Sequence, residues 1–209
     1  MKTEIVLYEG FEELDAIGPF EVLAAAGFEP ALVTLEQADR VTGAHGAVVV
    51  PRAALDERPD LLVVPGGGWA ARREHGAWEQ AQRGTLPRAI AARHATGTVL
   101  AGVCTGAMLI AAAGILAGRP AITHHAALGD LTAAGCDVIA GARVVDDGDI
   151  LTSGGVTAGI DLALWLVQRR YGTPAAERAA ESIEYERQGI VHVSPAAAHG
   201  AGDTADRRL

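Results

Sequence analysis

At 209 residues the chain is long enough to bury one substantial core without disulfides or a structural metal, and one large α/β domain is expected. Apolar residues make up 49% of it and aromatic residues only 4%, a composition suited to an Ala, Val, Leu and Ile core between strands and helices. A formal net charge of -9 argues against nucleic-acid binding, and the two cysteines lack any framework or metal-ligand spacing, so a small-molecule protein with free thiols is expected.

The elements alternate from the start, the pattern of a mostly parallel sheet covered by helices on both faces. Ile5 to Tyr8 opens as a strand with no signal-peptide stretch before it, and no segment has the apolar length of a membrane span, so a cytoplasmic protein is expected. Pro19 can start a helix, continued by Phe20, Leu23 and Ala24 until Gly27 interrupts it. Ala31 to Leu35 reads as a second strand, and Val41 to Pro51 as an extended segment or hairpin beside the main sheet. Leu61 to Val64 is a short apolar run between Pro59-Asp60 and Pro65-Gly66-Gly67-Gly68, hence a buried strand ending in a glycine loop.

Trp78 to Ala95 reads as a helix with a break or kink at Gly84 and Pro87. Thr98 to Val103 returns as a strand, and Ala107 to Ala113 as a helix ended by Gly114. Arg143 to Val145 and Ile150 to Ser153 form a strand pair across the turn Asp146-Asp147-Gly148-Asp149, which lacks the full ligand series of a calcium loop. Thr157 to Tyr171 and Pro174 to Glu186 read as helices, the second carrying Glu181, Glu184 and Glu186 on a solvated face. Residues 1–193 are expected as the domain and 194–209 as a flexible tail.

Cys104 occupies the junction between a buried strand and a helix, where free backbone N–H groups favour a thiolate, a cysteine version of the nucleophile-elbow layout. By contrast Cys136 lies in an unremarkable Gly-Cys-Asp loop. Read from the residues alone, Cys104 is also compatible with simple core packing, and Asp15 with a helix cap before Pro19.

Four blocks in order resemble the ThiJ/PfpI superfamily, the class I glutamine amidotransferase-like group. They are E-E-L-D-A-I-G-P around Asp15, V-V-P-G-G-G ending at Gly68, G-V-C-T-G-A around Cys104, and L-T-S-G-G-V-T-A-G-I-D ending at Asp161. The C-T-G elbow and the following Thr123-His124 pair are most similar to the bacterial isocyanide hydratase branch. The resemblance implies a three-layer α/β/α sandwich with a mostly parallel, flavodoxin-like sheet. It implies Cys104 as nucleophile and Asp15 as the carboxyl group that moves protons. Thr105 would follow the nucleophile, Gly67 and Gly68 would line the site, and His124 would lie near the thiol, with His125 as an alternative that also tunes it.

Asp161 and Thr157 belong to the last block, where capping and orienting a helix is their expected work. Trp69 and Trp78 are expected either to wall a pocket or to pack as aromatics. Protease-like relatives carry histidine where this chain has Thr105, which argues against peptide hydrolysis. The function implied is hydration of an isocyanide to an N-formamide through a Cys104 thioimidate, without cofactor or metal, in a homodimer. The alternatives are another small-molecule hydrolase, a glyoxalase-like enzyme, or an oxidant sensor using Cys104. A helix-turn-helix regulator is disfavoured by the acidic balance.

Overall fold

The structure is a computed structural model that describes residues 1–195 and 197. In chain order the first half comprises β1 (Lys2–Leu7), α1 (Glu13–Ala25), β2 (Glu29–Thr34), β3 (Val41–Thr42), β4 (Val48–Val49), β5 (Ala53–Ala54), β6 (Leu61–Val64), α2 (Ala77–Arg83) and α3 (Thr85–Ala95). The second half comprises β7 (Val99–Gly102), α4 (Gly106–Ala112), β8 (Pro120–Ala121), α5 (Leu128–Ala133), β9 (Asp137–Val138), β10 (Val144–Asp146), β11 (Ile150–Ser153), α6 (Ala158–Tyr171), α7 (Thr173–Ser182) and β12 (Val191–Val193).

The main sheet runs β12-β10-β11-β7-β6-β1-β2-β5, and every pairing in it is parallel except the β10–β11 hairpin. Strands β6, β7 and β11 are buried along their whole length, because helices cover both faces of the sheet. Helices α1, α6 and α7 pack together on one side, and α2, α3, α4 and α5 on the other, giving the expected three-layer α/β/α sandwich.

Three local readings need correction. Helix α1 begins at Glu13, so Pro19 lies inside it rather than at its start, and Asp15 is a buried residue of its first turn rather than a cap before Pro19. The second corrected element is the helix expected to run to Glu186. It ends at Ser182, and Glu184 adopts φ 51°, which no helix continues through; Glu181, Glu184 and Glu186 are all exposed. Third, Thr157 stands at the N-cap of α6 but makes no side-chain cap bond.

The long helical segment breaks at Gly84, which takes φ 70° between α2 and α3. Ser194, taken as the first tail residue, is buried and its hydroxyl donates to Asp147 Oδ1 at 2.5 Å. The rest of the expected tail, beyond 195 and 197, lies outside the described residues.

Candidate active site

The carboxyl ends of β1, β6, β7 and β11 lie side by side, and the loops that leave them converge above the sheet edge. From β1 the chain passes Tyr8 and enters α1 with Asp15; from β6 it enters the Pro65–Gly68 loop. From β7 it reaches Cys104, and from β11 the Gly154–Val156 segment.

Cys104 adopts φ 54°, a left-handed conformation that a non-glycine residue keeps only when its surroundings impose it. Its N–H donates to Gly154 O at 3.1 Å, and its carbonyl accepts the Thr123 hydroxyl at 2.8 Å. The preceding Val103 N–H donates to Val64 O at 3.0 Å. Neighbouring strand ends therefore hold the turn on three sides. Helix α4 can start at once because Gly106 lies against the Val64 carbonyl, where any Cβ would collide. Thr105 joins the elbow to the glycine loop, since its Oγ1 accepts the Gly67 N–H at 3.0 Å.

Asp15 is fully buried beneath this turn. Its Oδ2 accepts the Gly66 N–H at 2.9 Å, whereas Oδ1 has no partner of hydrogen-bond geometry. Burial pushes the carboxyl up from 3.8 to about 7, opposed by the Gly66 N–H and the Cys104 thiol and assisted by Glu12. For the Cys104 thiol, burial and the charge of Asp15 act upward, to about 12, against the Val156 and Thr105 N–H groups that favour the thiolate. Burial thus outweighs the helix-start effect read from the sequence.

The carboxyl therefore loses its proton near neutrality while the thiol keeps its own into strong alkali, and the Asp15 charge is one cause of that retention. In between, the remaining proton rests on sulfur with the carboxylate as the base that can accept it. Such a pair can deliver a nucleophilic sulfur and a neutral carboxylic acid together.

Sequence reasoning left Tyr8 as the end of a strand. Its buried hydroxyl is directed at the Pro65 and Gly66 carbonyls at 2.6 and 3.0 Å, which fixes the loop whose Gly66 N–H meets Asp15. Burial first, then the charges of Asp15 and Cys104, hold the phenol well above its ordinary pKa and so protonated.

A cleft of about 230 Å³ opens over Cys104, walled by Trp69, Thr105, His124 and Val156 and rimmed by Glu12 and Arg73. Gly67 and Gly68 line it, as expected of the glycine loop. His124 Nδ1 accepts the Ala126 N–H at 3.2 Å, which leaves Nε2 to carry the proton. Burial, then neighbouring His125, lowers its pKa, so the ring is neutral near pH 7. His125 stacks on it at 4.1 Å but does not line the cleft. Trp69 walls the cleft, while Trp78 packs edge-on behind it at 5.2 Å. Trp69 Nε1 donates to Asp130 Oδ2 at 2.6 Å, and Arg72 pairs with the same oxygen at 2.9 Å while lying 3.8 Å over the Trp78 ring.

Val156, Glu12, His45 and Arg73 also line the cleft without having been singled out in the sequence, because loop residues distant along the chain leave no periodic signal. Glu12, Glu13 and His45 are the group of three metal-ligating side chains within 4.8 Å of one another among the described residues. Glu13 is already committed there, accepting from the His45 and Ala47 N–H groups and meeting His45 Nδ1 at 2.9 Å, so it pins the β3–β4 hairpin to α1. Asp161 does not reach the cleft. It is buried and binds Arg143, Tyr185 and the Gln188 N–H instead of capping α6.

A family model described as the DJ-1/PfpI family matches residues 1–169. The chain belongs to the DJ-1/PfpI family. Among its relatives in that family, an isonitrile hydratase of Pseudomonas putida is 32% identical over 187 residues, covering 88% of this chain and 78% of the relative. A deglycase of Thermococcus kodakarensis is 30% identical over 158 residues, covering 73% of this chain and 89% of that one. Among solved structures, a ThiJ/PfpI family protein from Pseudomonas syringae superposes with a TM-score of 0.79 at 28% identity, over 89% of this chain and 75% of that chain. The solved ThiJ/PfpI protein thus shares the overall fold of this chain.

Proposed function

We propose that this DJ-1/PfpI protein hydrates a small isocyanide to the corresponding N-formamide, with Cys104 as nucleophile and Asp15 as acid and base. The observation that carries this reading is the buried Asp15 carboxyl beside the Cys104 thiol, which itself opens on a cleft, with the carboxyl titrating near neutral pH and so able to take and return the thiol proton. The likeness to an isonitrile hydratase supports the substrate class.

In this mechanism the sulfur attacks the terminal carbon of R–NC, and the thiol proton, passed through Asp15, is delivered to that carbon to give the thioimidate R–N=CH–S–Cys104. Water then adds to the carbon while a proton reaches nitrogen. The tetrahedral species collapses to R–NH–CHO, and the thiolate recovers its proton. The reaction adds one water, changes no oxidation state of the protein and calls for no cofactor. Neutral His124, with its proton on Nε2, is placed to donate to the substrate nitrogen or to orient the water.

Working as a homodimer in the cytoplasm is part of the same proposal. Incubation with aliphatic and aromatic isocyanides, glyoxals and simple amides, followed by NMR of the products, tests the substrate class. Formamide from the isocyanides, lost in Cys104→Ser, is the expected result; turnover of glyoxals without formamide favours the glyoxalase-like reading, which the likeness to a deglycase also supports.

A further inference from the structure

Cys104 depends on residues 154–157, in the last of the four blocks, for which the sequence suggested no more than a helix start. Gly154 accepts the Cys104 N–H through its carbonyl, and two residues on Val156 lines the cleft beside the sulfur. Val156 is β-branched and yet adopts φ 48°, a conformation that such a residue abandons when its flanks are free. What restrains those flanks is Arg143, just before β10. Its carbonyl accepts the Gly154 N–H at 3.0 Å, and its guanidinium Nη2 donates to Thr157 Oγ1 at 3.0 Å. One residue therefore grips both ends of the four-residue segment 154–157.

The guanidinium is itself held. Nε donates to Asp161 Oδ2 at 2.7 Å, and the same carboxylate accepts the Tyr185 hydroxyl at 3.0 Å and the Gln188 N–H at 2.8 Å. Asp161 is 2% exposed, so its carboxylate is fixed in the interior and anchors the partly buried guanidinium. The Arg143 N–H donates to Ile190 O at 2.8 Å, and Gly189 allows the returning chain to lie against the Arg143 side chain, where a Cβ would stand 2.7 Å from Arg143 Cβ.

The geometry points to Arg143 as a positioning residue for the nucleophile: by clamping Gly154 and Thr157 it holds the strained Val156 main chain beside Cys104 at the cleft. Asp161 and Tyr185 act through it. The inference rests on Cys104 being the reactive group of the proposed function, but it concerns the state of the thiol rather than any substrate. Without the clamp, Val156 relaxes toward negative φ, its N–H turns from the sulfur, and the thiolate loses one of two backbone donors.

The test is the pH profile of Cys104 alkylation by iodoacetamide, read by peptide mass spectrometry with Cys136 as internal reference. Arg143→Gln is expected to move the Cys104 profile upward by about one pH unit and to slow labelling at neutral pH about tenfold, with Cys136 unchanged. Thr157→Val keeps the Arg143–Asp161 pair and the side-chain volume but removes the acceptor, so it guards against a folding failure of the first variant. A shift in the same direction, about threefold in rate, is expected from it, and Arg143→Lys, which cannot fork, is expected to match it. A folded Arg143→Gln with a wild-type profile overturns the clamp, as does an unchanged Thr157→Val profile. Because alkylation needs no isocyanide, the clamp stands or falls on these profiles even if the wild type makes no formamide.

Discussion

Burial of the Asp15 carboxyl carries an electrostatic penalty that is visible in stability as well as chemistry. Its folded-state value of about 7 lies above the ordinary 3.8, so the native chain holds this proton more tightly than the unfolded chain. The resulting stabilisation is fully present below the unfolded value and is lost as pH rises through about 7. Asp15→Asn, which retains an acceptor for the Gly66 N–H, is therefore expected to be more stable than the wild type at pH 8, by at most about 4 kcal/mol, with the gap closing toward pH 4. Denaturant unfolding at several pH values measures this, and parallel pH profiles for the two proteins contradict it.

The two thiols offer a second comparison. Both are buried and both are raised by burial, but only Cys104 opens on a cleft and has a carboxylate to take its proton. Iodoacetamide is expected to label Cys104 at least about tenfold faster near pH 7.5, and faster labelling of Cys136 would refute the assignment. Cys104 was legible because the strand, cysteine and helix in succession allowed a nucleophile elbow, and the family resemblance chose that reading over core packing. Arg143 and Tyr8 were not, because their partners lie in other loops and no spacing along the chain records a tertiary contact.

Among the elements, residues 69–73 supply one side of the cleft and are fastened to α5. Asp130, in the first turn of α5, takes both the Trp69 indole and the Arg72 guanidinium. Asp130→Ala releases the wall without touching the thiol. A several-fold rise in KM with kcat within about threefold is the expected result, since partly exposed bonds of this kind are worth about 1 kcal/mol each. A fall in kcat with KM unchanged contradicts a purely substrate-walling role.

Element boundaries show what local pattern conveys and what it omits. Buried runs such as Leu61–Val64 announce themselves by composition, and Gly84 marks a true helix break. Pro19 misleads because it lies buried inside α1 where a proline at a helix start was expected, and Glu184 hides a left-handed helix exit behind an ordinary helix former. The two-residue strands β3, β4, β5, β8 and β9 are too short to carry a period at all.

At the scale of the molecule, the Asp146–Asp149 turn lies at the opposite end of the sheet from Cys104, and its acids are bound by the protein itself. Asp146 accepts from the Trp165 indole, the Gly148 N–H and Arg169, while Arg119 bridges Asp147 and Asp149. These contacts tie the β10–β11 hairpin to α6 and leave no calcium-type ligand shell. Asp146→Ala is expected to cost about 3 kcal/mol because it strips three donors of one buried acceptor. Calcium is expected to restore none of that loss in thermal melts; full restoration points to a metal loop.

The alternation of strands and helices was enough to read the layers and the side on which the site forms, since loops at the carboxyl ends of parallel strands must meet there. The order of strands came from the fold alone, and it supplies the reason that Asp15 and Cys104, paired in the sequence only through the family resemblance, meet across 89 positions. That pairing is tested most directly by the steady-state rate of formamide formation from one isocyanide by wild type, Cys104→Ser and Asp15→Asn at pH 7.5. Turnover by the wild type, none by Cys104→Ser, and a fall of at least about a hundredfold in kcat for a folded Asp15→Asn is the expected result. Formamide formation by Asp15→Asn at the wild-type rate would contradict the acid–base mechanism.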